Sequence, residues 1–192
     1  VVNAEVKLND VSSHCGNKYI ENLVQRGTIN GYEDGTFRPD NTITQAEFIK
    51  ILVTSLGHTD LTNSNEGHWS MNYVTKAKEL GVVTDFELQN SFSNLDRNIT
   101  RGEIARLVVR VLDDKIDKKN DFTGKLTDYN QISKQNQQSV LSAYAHGIIT
   151  GYPDRTFKET KLSTRAEATT MIVRYLEDEQ RVYPKRPSFK VE

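Results

Sequence analysis

The sequence predicts a mostly α-helical fold made of three tandem helix–loop–helix repeats. Three observations carry this. A glycine-centred loop recurs at Gly27, Gly81 and Gly147. A Thr-x-x-Glu pair follows each loop, at Thr44/Glu47, Thr100/Glu103 and Thr164/Glu167. An apolar stripe of helical period follows each pair. A fixed order of motifs with connectors of variable length marks one supersecondary unit used repeatedly. The units span 5–58, 59–118 and 119–180, leaving 181–192 as a tail.

The first helix of each unit runs up to its glycine. Ile20, Val74 and Val140 lie on one face with Leu23, Ala77 and Ala143, about one turn later. The glycine then caps the helix C-terminus. The loop that follows is clearest in GTINGYEDGTFRPDNTITQAEF, Gly27 to Phe48. Asp34-Gly35 signals a turn. Gly31 allows a backbone conformation that a side chain would forbid. Phe37, aligned with Phe92 and Phe157, is expected to plug the loop onto the core. Thr44 and Glu47 form a capping box that opens the second helix. Its stripe is Phe48, Ile51, Leu52 and Leu56, broken at Ser55; the later copies read Ile104, Leu107, Val108, Val111, Leu112 and Ala168, Met171, Ile172, Tyr175, Leu176. Polar linkers are expected over Asp60–Gly67 and Asp113–Lys125. One helix pair cannot bury such a stripe alone, whereas three can share a core.

Composition narrows the function. A net charge of −1 over 192 residues gives no electrostatic case for nucleic acid or for an anionic membrane surface. No apolar run approaches membrane-spanning length, so no membrane insertion is expected. The single cysteine, Cys15, excludes an intrachain disulfide. Val2-Asn3-Ala4 resembles the small-residue end of a secretory signal, with cleavage after Ala4. His14, His58, His68 and His146 are scattered without metal-ligand spacing. No nucleophile elbow, phosphate loop or dinucleotide fingerprint occurs. Glu33 and Asp34 are sequence neighbours rather than acids opposed across a cleft. No catalytic residue, metal or cofactor is therefore assigned.

The first position of each second helix holds Gln45, Arg101 or Arg165. A cation there faces the positive end of the helix dipole, at a cost of about 0.3–1 kcal/mol. An arginine beside free helix amides would suit a bound carboxylate or phosphate. The plain alternative is an arginine whose stem covers apolar surface.

GTINGYEDGTFRPDNTITQAEF and GIITGYPDRTFKETKLSTRAEA resemble S-layer homology repeats, whose hallmark is a Gly-Tyr-x-Asp-Gly-x-Phe-like loop followed by Thr-Arg-Ala-Glu. GVVTDFELQNSFSNLDRNITRGEI is similar but degenerate, with Asp85-Phe86 for Gly-Tyr and Gly102 for the alanine. His68-Trp69 and His14-Cys15 match the opening of such repeats. The resemblance implies three units around a pseudo-threefold axis. It also implies an extracellular module that anchors surface proteins of Gram-positive-type bacteria to a secondary cell wall polymer. The implied epitope is a terminal N-acetylmannosamine carrying a ketal pyruvate, bound in grooves between repeats. Arg101 and Arg165 are then the carboxylate contacts. Gln45 is a weak or silent counterpart. Gly31 and Gly151 let backbone approach the sugar, and Tyr32, Tyr152 and Trp69 are candidate sugar platforms, core packing being the alternative for each. Substituting Arg165 by Ala is then expected to spare the fold. Any self-assembly would run through regions outside this chain. Two other readings stay open: a helical-repeat protein adaptor, and the anchor segment of a larger surface enzyme, for which the proline-bearing tail RVYPKRPSFKVE would be the linker.

Overall fold

The computed structural model describes residues 7–88, 92–112 and 119–185. The Val2-Asn3-Ala4 motif lies outside them, as do the first half of the second linker and the end of the tail. Each unit contributes two main helices: α1 (Asn17–Gln25) and α2 (Gln45–Ser55), then α3 (Met71–Glu79) and α6 (Arg101–Arg110), then α7 (Lys134–Ala145) and α8 (Arg165–Leu176). Two short helices, α4 (Asp85–Leu88) and α5 (Phe92–Asp96), fill the loop of the second unit. Short 3₁₀ turns cover Lys119–Lys125, Tyr129–Gln131 and Asp178–Gln180. The described chain is thus mostly α-helical.

The expected helix ends are present. Gly27, Gly81 and Gly147 have φ of 68, 70 and 69°. In each case the glycine amide and the one after it bond back into the last turn, as with Gly27 N to Val24 O and Thr28 N to Leu23 O, both 2.9 Å. All three capping boxes form: Thr44, Thr100 and Thr164 accept from the glutamate amide three residues on, and each glutamate carboxylate accepts from the threonine amide.

Between these helices the units close a ring. The residue before each capping threonine donates its amide to the same position of another unit: Ile43 to Ser163 O, Ser163 to Ile99 O, and Ile99 to Ile43 O, at 3.0–3.1 Å. Isolated antiparallel bridges run with the same cyclic order, Thr42 with Thr164, Thr100 with Leu162 and Thr44 with Asn98. Three equivalent positions bonded in a closed cycle define a pseudo-threefold axis. Packed around it is one continuous core, including the fully buried Ile20, Leu23, Phe37, Ile43, Leu52, Ile99, Ile104, Phe157 and Ile172.

One aligned position departs from expectation. Phe37 and Phe157 are fully buried, but Phe92 is 51% exposed. The second loop is longer, and Leu88 and Leu95 bury in its place. The tail also differs from a free linker. Arg181 donates to the carbonyls of Arg174 and Tyr175 at the end of α8, and the Val182 amide donates to Gly147 O at 2.8 Å.

Candidate functional site

The arginines that open the second helices face neither solvent nor a vacant helix terminus. The first amides of α2, α6 and α8 donate to Arg97 O, Lys161 O and Asn41 O, each in the loop of another unit. The second amides of α6 and α8 are also used, by Glu159 O and Pro39 O. The third is held by the capping threonine in every case. Beside both arginines the free helix amides expected from the sequence are therefore satisfied, the first two by the neighbouring unit and the third by the helix's own threonine.

The side chains continue the same cross-links. Arg165 is buried and donates from Nε to Phe37 O (2.9 Å) and from Nη1 to Glu47 Oε1 (3.1 Å). Arg101 is buried and donates from Nε to Phe157 O and from Nη2 to Thr150 O, both 3.0 Å. Each thus reaches from its own helix into the loop of the next unit round the ring. Burial pushes the Arg101 guanidinium below its usual pKa, with the charges of Tyr152, Glu167 and Asp128 opposing; it stays charged. The fold gains inter-unit hydrogen bonds from these arginines, contrary to the expectation that substituting Arg165 by Ala would spare it. Gln45, at the third such position, is buried with Oε1 unpartnered among the described residues.

Two open grooves result. The first, of about 440 Å³, is walled by Thr28–Tyr32, by Glu47, Lys50 and Ile51 of α2, by Arg165, and by Asn63 and Trp69. It brings together four of the sequence-derived residues, Gly31, Tyr32, Trp69 and Arg165. The second, of about 230 Å³, is walled by Ile148–Pro153, by Glu167, Thr170, Met171 and Arg174 of α8, and by Arg101. It brings together Gly151, Tyr152 and Arg101. The two are the same groove on successive units, with an arginine contributed by the unit before it round the ring.

The glycines play unequal parts. Gly31 has φ of 76°, and a Cβ there would meet Leu8 Cδ2 at 2.4 Å and Thr36 O at 2.8 Å. A side chain at Gly151 would meet its closest neighbours at 3.3 Å. The tyrosines carry cations over their rings: Arg165 and Arg38 on Tyr32, at 4.8 and 4.1 Å, and Arg101 on Tyr152 at 4.7 Å. Their hydroxyls approach Glu47 and Glu167 of the capping boxes. They hold the arginines in place, and the guanidiniums take ring surface that a sugar would otherwise use.

Lys50 is the groove residue that the sequence reading missed. Its ammonium lies over Trp69 and Tyr73, at 5.6 and 5.1 Å, and donates to Asn63 Oδ1 at 3.2 Å. Burial alone lowers its pKa. Arg165 has Glu47 as counter-charge, whereas Lys50 makes no ion pair among the described residues. It stands on the polar side of α2, one turn beyond Glu47, where a lysine reads as solvated surface until the neighbouring unit's Trp69 is placed beside it.

A family model described as the S-layer homology domain matches residues 7–49 and 125–169. The chain belongs to the S-layer homology family. The stretch between the matches holds the second unit, where the loop lacks Gly-Tyr. A cellulosome-anchoring protein of Acetivibrio thermocellus is 32% identical over 164 residues, covering 78% of this chain and 35% of that protein. An amylopullulanase of Thermoanaerobacterium thermosulfurigenes is 29% identical over 177 residues, covering 88% and 9%. A surface layer protein of Brevibacillus choshinensis is 29% identical over 140 residues, covering 71% and 12%. The chain therefore spans 35% or less of each of these relatives. S-layer homology domains are non-catalytic modules that anchor surface proteins to the cell wall, and they place this chain at the cell surface.

Proposed function

We propose that this chain holds a larger protein to the cell wall by binding an acidic wall polysaccharide in its two open grooves, the acid being a ketal pyruvate on a terminal N-acetylmannosamine. The observation that carries this reading is the first groove. It presents Lys50, a partly desolvated cation without a carboxylate partner among the described residues, beside Trp69, Asn63 and the fixed Arg165. A carboxylate entering there gives the ammonium a counter-charge in place of the hydration that burial has removed. Trp69 supplies an apolar wall for the sugar ring. The second groove offers Arg101 and Arg174, with Thr170 where the first has Lys50. Two grooves on one chain, multiplied over many chains, give avidity from modest single contacts.

The deciding measurement is calorimetry of the chain with a synthetic pyruvylated N-acetylmannosamine beside the same sugar without pyruvate. Binding of the pyruvylated form alone is expected. Equal binding of both would remove the acid from the mechanism, and binding of neither would overturn the glycan reading. The similarity to an amylopullulanase over a small part of its length supports a companion proposal, that the chain is the anchor segment of a surface enzyme whose catalysis lies elsewhere.

A further inference from the structure

The second unit has the same groove positions, but they are filled from within. Its loop folds as α4 in place of the Gly-Tyr turn and carries Glu87 inward. Glu87 Oε2 accepts from the amide and hydroxyl of Thr84, each at 3.0 Å, and from Arg110 Nη1 at 2.6 Å. Oε1 accepts from Arg110 Nη2 at 3.0 Å and lies 2.6 Å from Arg106 Nε, an ion contact rather than an aligned hydrogen bond. Arg110 Nη1 also donates to Val82 O at 2.8 Å. Arg106 and Arg110 occupy the helix positions of Lys50 and Thr54 in the first unit and of Thr170 and Arg174 in the third. Val82 is the counterpart of Thr28 and Ile148, which wall the open grooves. We propose that the groove of the second unit is an acid-binding site occupied by the chain's own Glu87, an internal ligand that an external carboxylate can replace once Glu87 is removed.

Two further features agree. The Glu87 carboxyl is held at a pKa of about 2; burial opposes this and is outweighed by Arg110, the Thr84 amide and Arg106. It therefore stays ionised at neutral pH. Gln45, standing where the open grooves have an arginine, adds no third cation to Arg106 and Arg110, and Glu87 engages both of those. The identity of the competing acid rests on the anchoring reading; the occupied groove rests on the contacts alone.

The test has two arms on the full chain. In the first, calorimetry with the methyl glycoside of pyruvylated N-acetylmannosamine is expected to give two sites in the wild type and three in Glu87→Ala. In the second, the Nε–H resonances of Arg106 and Arg110 are followed by NMR during titration with sodium pyruvate. They are expected to move in Glu87→Ala and to stay still in the wild type. Movement in both would show that Glu87 does not occlude the groove, and movement in neither would show that the arginine pair binds no acid; either result overturns the proposal. A wild type that ignores the sugar defeats the anchoring reading, yet the pyruvate arm still decides this one. If Glu87→Ala loses its fold, Glu87→Gln serves in its place. The amide keeps the volume and loses the charge, so smaller shifts are expected, and their absence again overturns the proposal.

Discussion

At the scale of single residues, two cations in one groove have separate tasks, and substitution distinguishes them. Arg165 is fixed by Phe37 O, Glu47 and the ring of Tyr32. Removing it leaves a buried carbonyl without its donor and Glu47 without its counter-charge. Arg165→Ala is therefore expected to cost on the order of 1.5–3 kcal/mol, read as a lower denaturant midpoint at unchanged slope. This reverses the sequence-based expectation that the fold would be spared; an unchanged midpoint would return Arg165 to a purely ligand-facing role. Lys50 is the opposite case. Its contacts within the fold are two aromatic faces and one amide. Lys50→Ala is expected to leave stability within about 0.5 kcal/mol. It should weaken binding of the pyruvylated sugar in the first groove roughly tenfold or more, the worth of a charge-assisted hydrogen bond. Equal calorimetric affinities for Lys50→Ala and wild type would place the acid elsewhere.

At the scale of elements, the repeats can be compared as internal controls on one another. The Asp-x-Thr turns of the first and third loops are closely alike: Asp34 accepts from the Thr36 amide at 3.0 Å, and Asp154 from the Thr156 amide at 3.0 Å. Yet the first loop has Gly35 at φ 77° where the third has Arg155 at φ 62°. A left-handed residue with a Cβ costs roughly 1–2 kcal/mol, part of which glycine returns through its freer unfolded chain. Arg155→Gly is expected to stabilise by about 0.5–1 kcal/mol and to raise Tm by about 1–4 °C in a thermal melt. An unchanged or lowered Tm would show that the Arg155 side chain makes good its own strain. These elements were also the most legible part of the sequence. Glycine caps and capping boxes are local devices, set by residues within one turn of each other, so Gly27, Thr44 and Glu47 declared themselves. Phe92 did not, because whether an aromatic plugs a loop depends on loop length and on which apolar neighbour, here Leu95, arrives first. The closed groove of the second unit was hidden for a related reason. Glu87 reads as a solvated acid until α4 sets it against Arg106 and Arg110 of α6, some twenty residues on.

At the scale of the whole molecule, the decisive fact is the closed cycle. The resemblance of the motifs implied a threefold arrangement, but nothing in the spacing of Gln45, Arg101 and Arg165 showed that each amide and each arginine would be spent on the neighbouring loop. The bonds that consume them join residues far apart in sequence, as Arg165 does with Phe37, and such pairings leave no periodic trace. A linear array of repeats can fray from an end, each unit contacting only its neighbours. Here the third unit returns to the first through Ile43 N to Ser163 O, Arg165 N to Asn41 O, and the ion pair of Arg26 with Glu177. The first and last units also share one core, with α1 packed on α8. No unit is therefore terminal, and none can open without exposing the faces of both others. Unfolding is accordingly expected as one transition, with calorimetric and van't Hoff enthalpies equal and with far-ultraviolet circular dichroism coincident with the fluorescence of Trp69. Trp69 sits at the start of the second unit, against the groove of the first, so an early fluorescence change would reveal that unit loosening alone. Two separated transitions would mean that the ring is a loose contact among independent repeats. The grooves would then be mobile clefts rather than preformed sites, and the affinity expected of Lys50 and its neighbours would fall by the cost of ordering them.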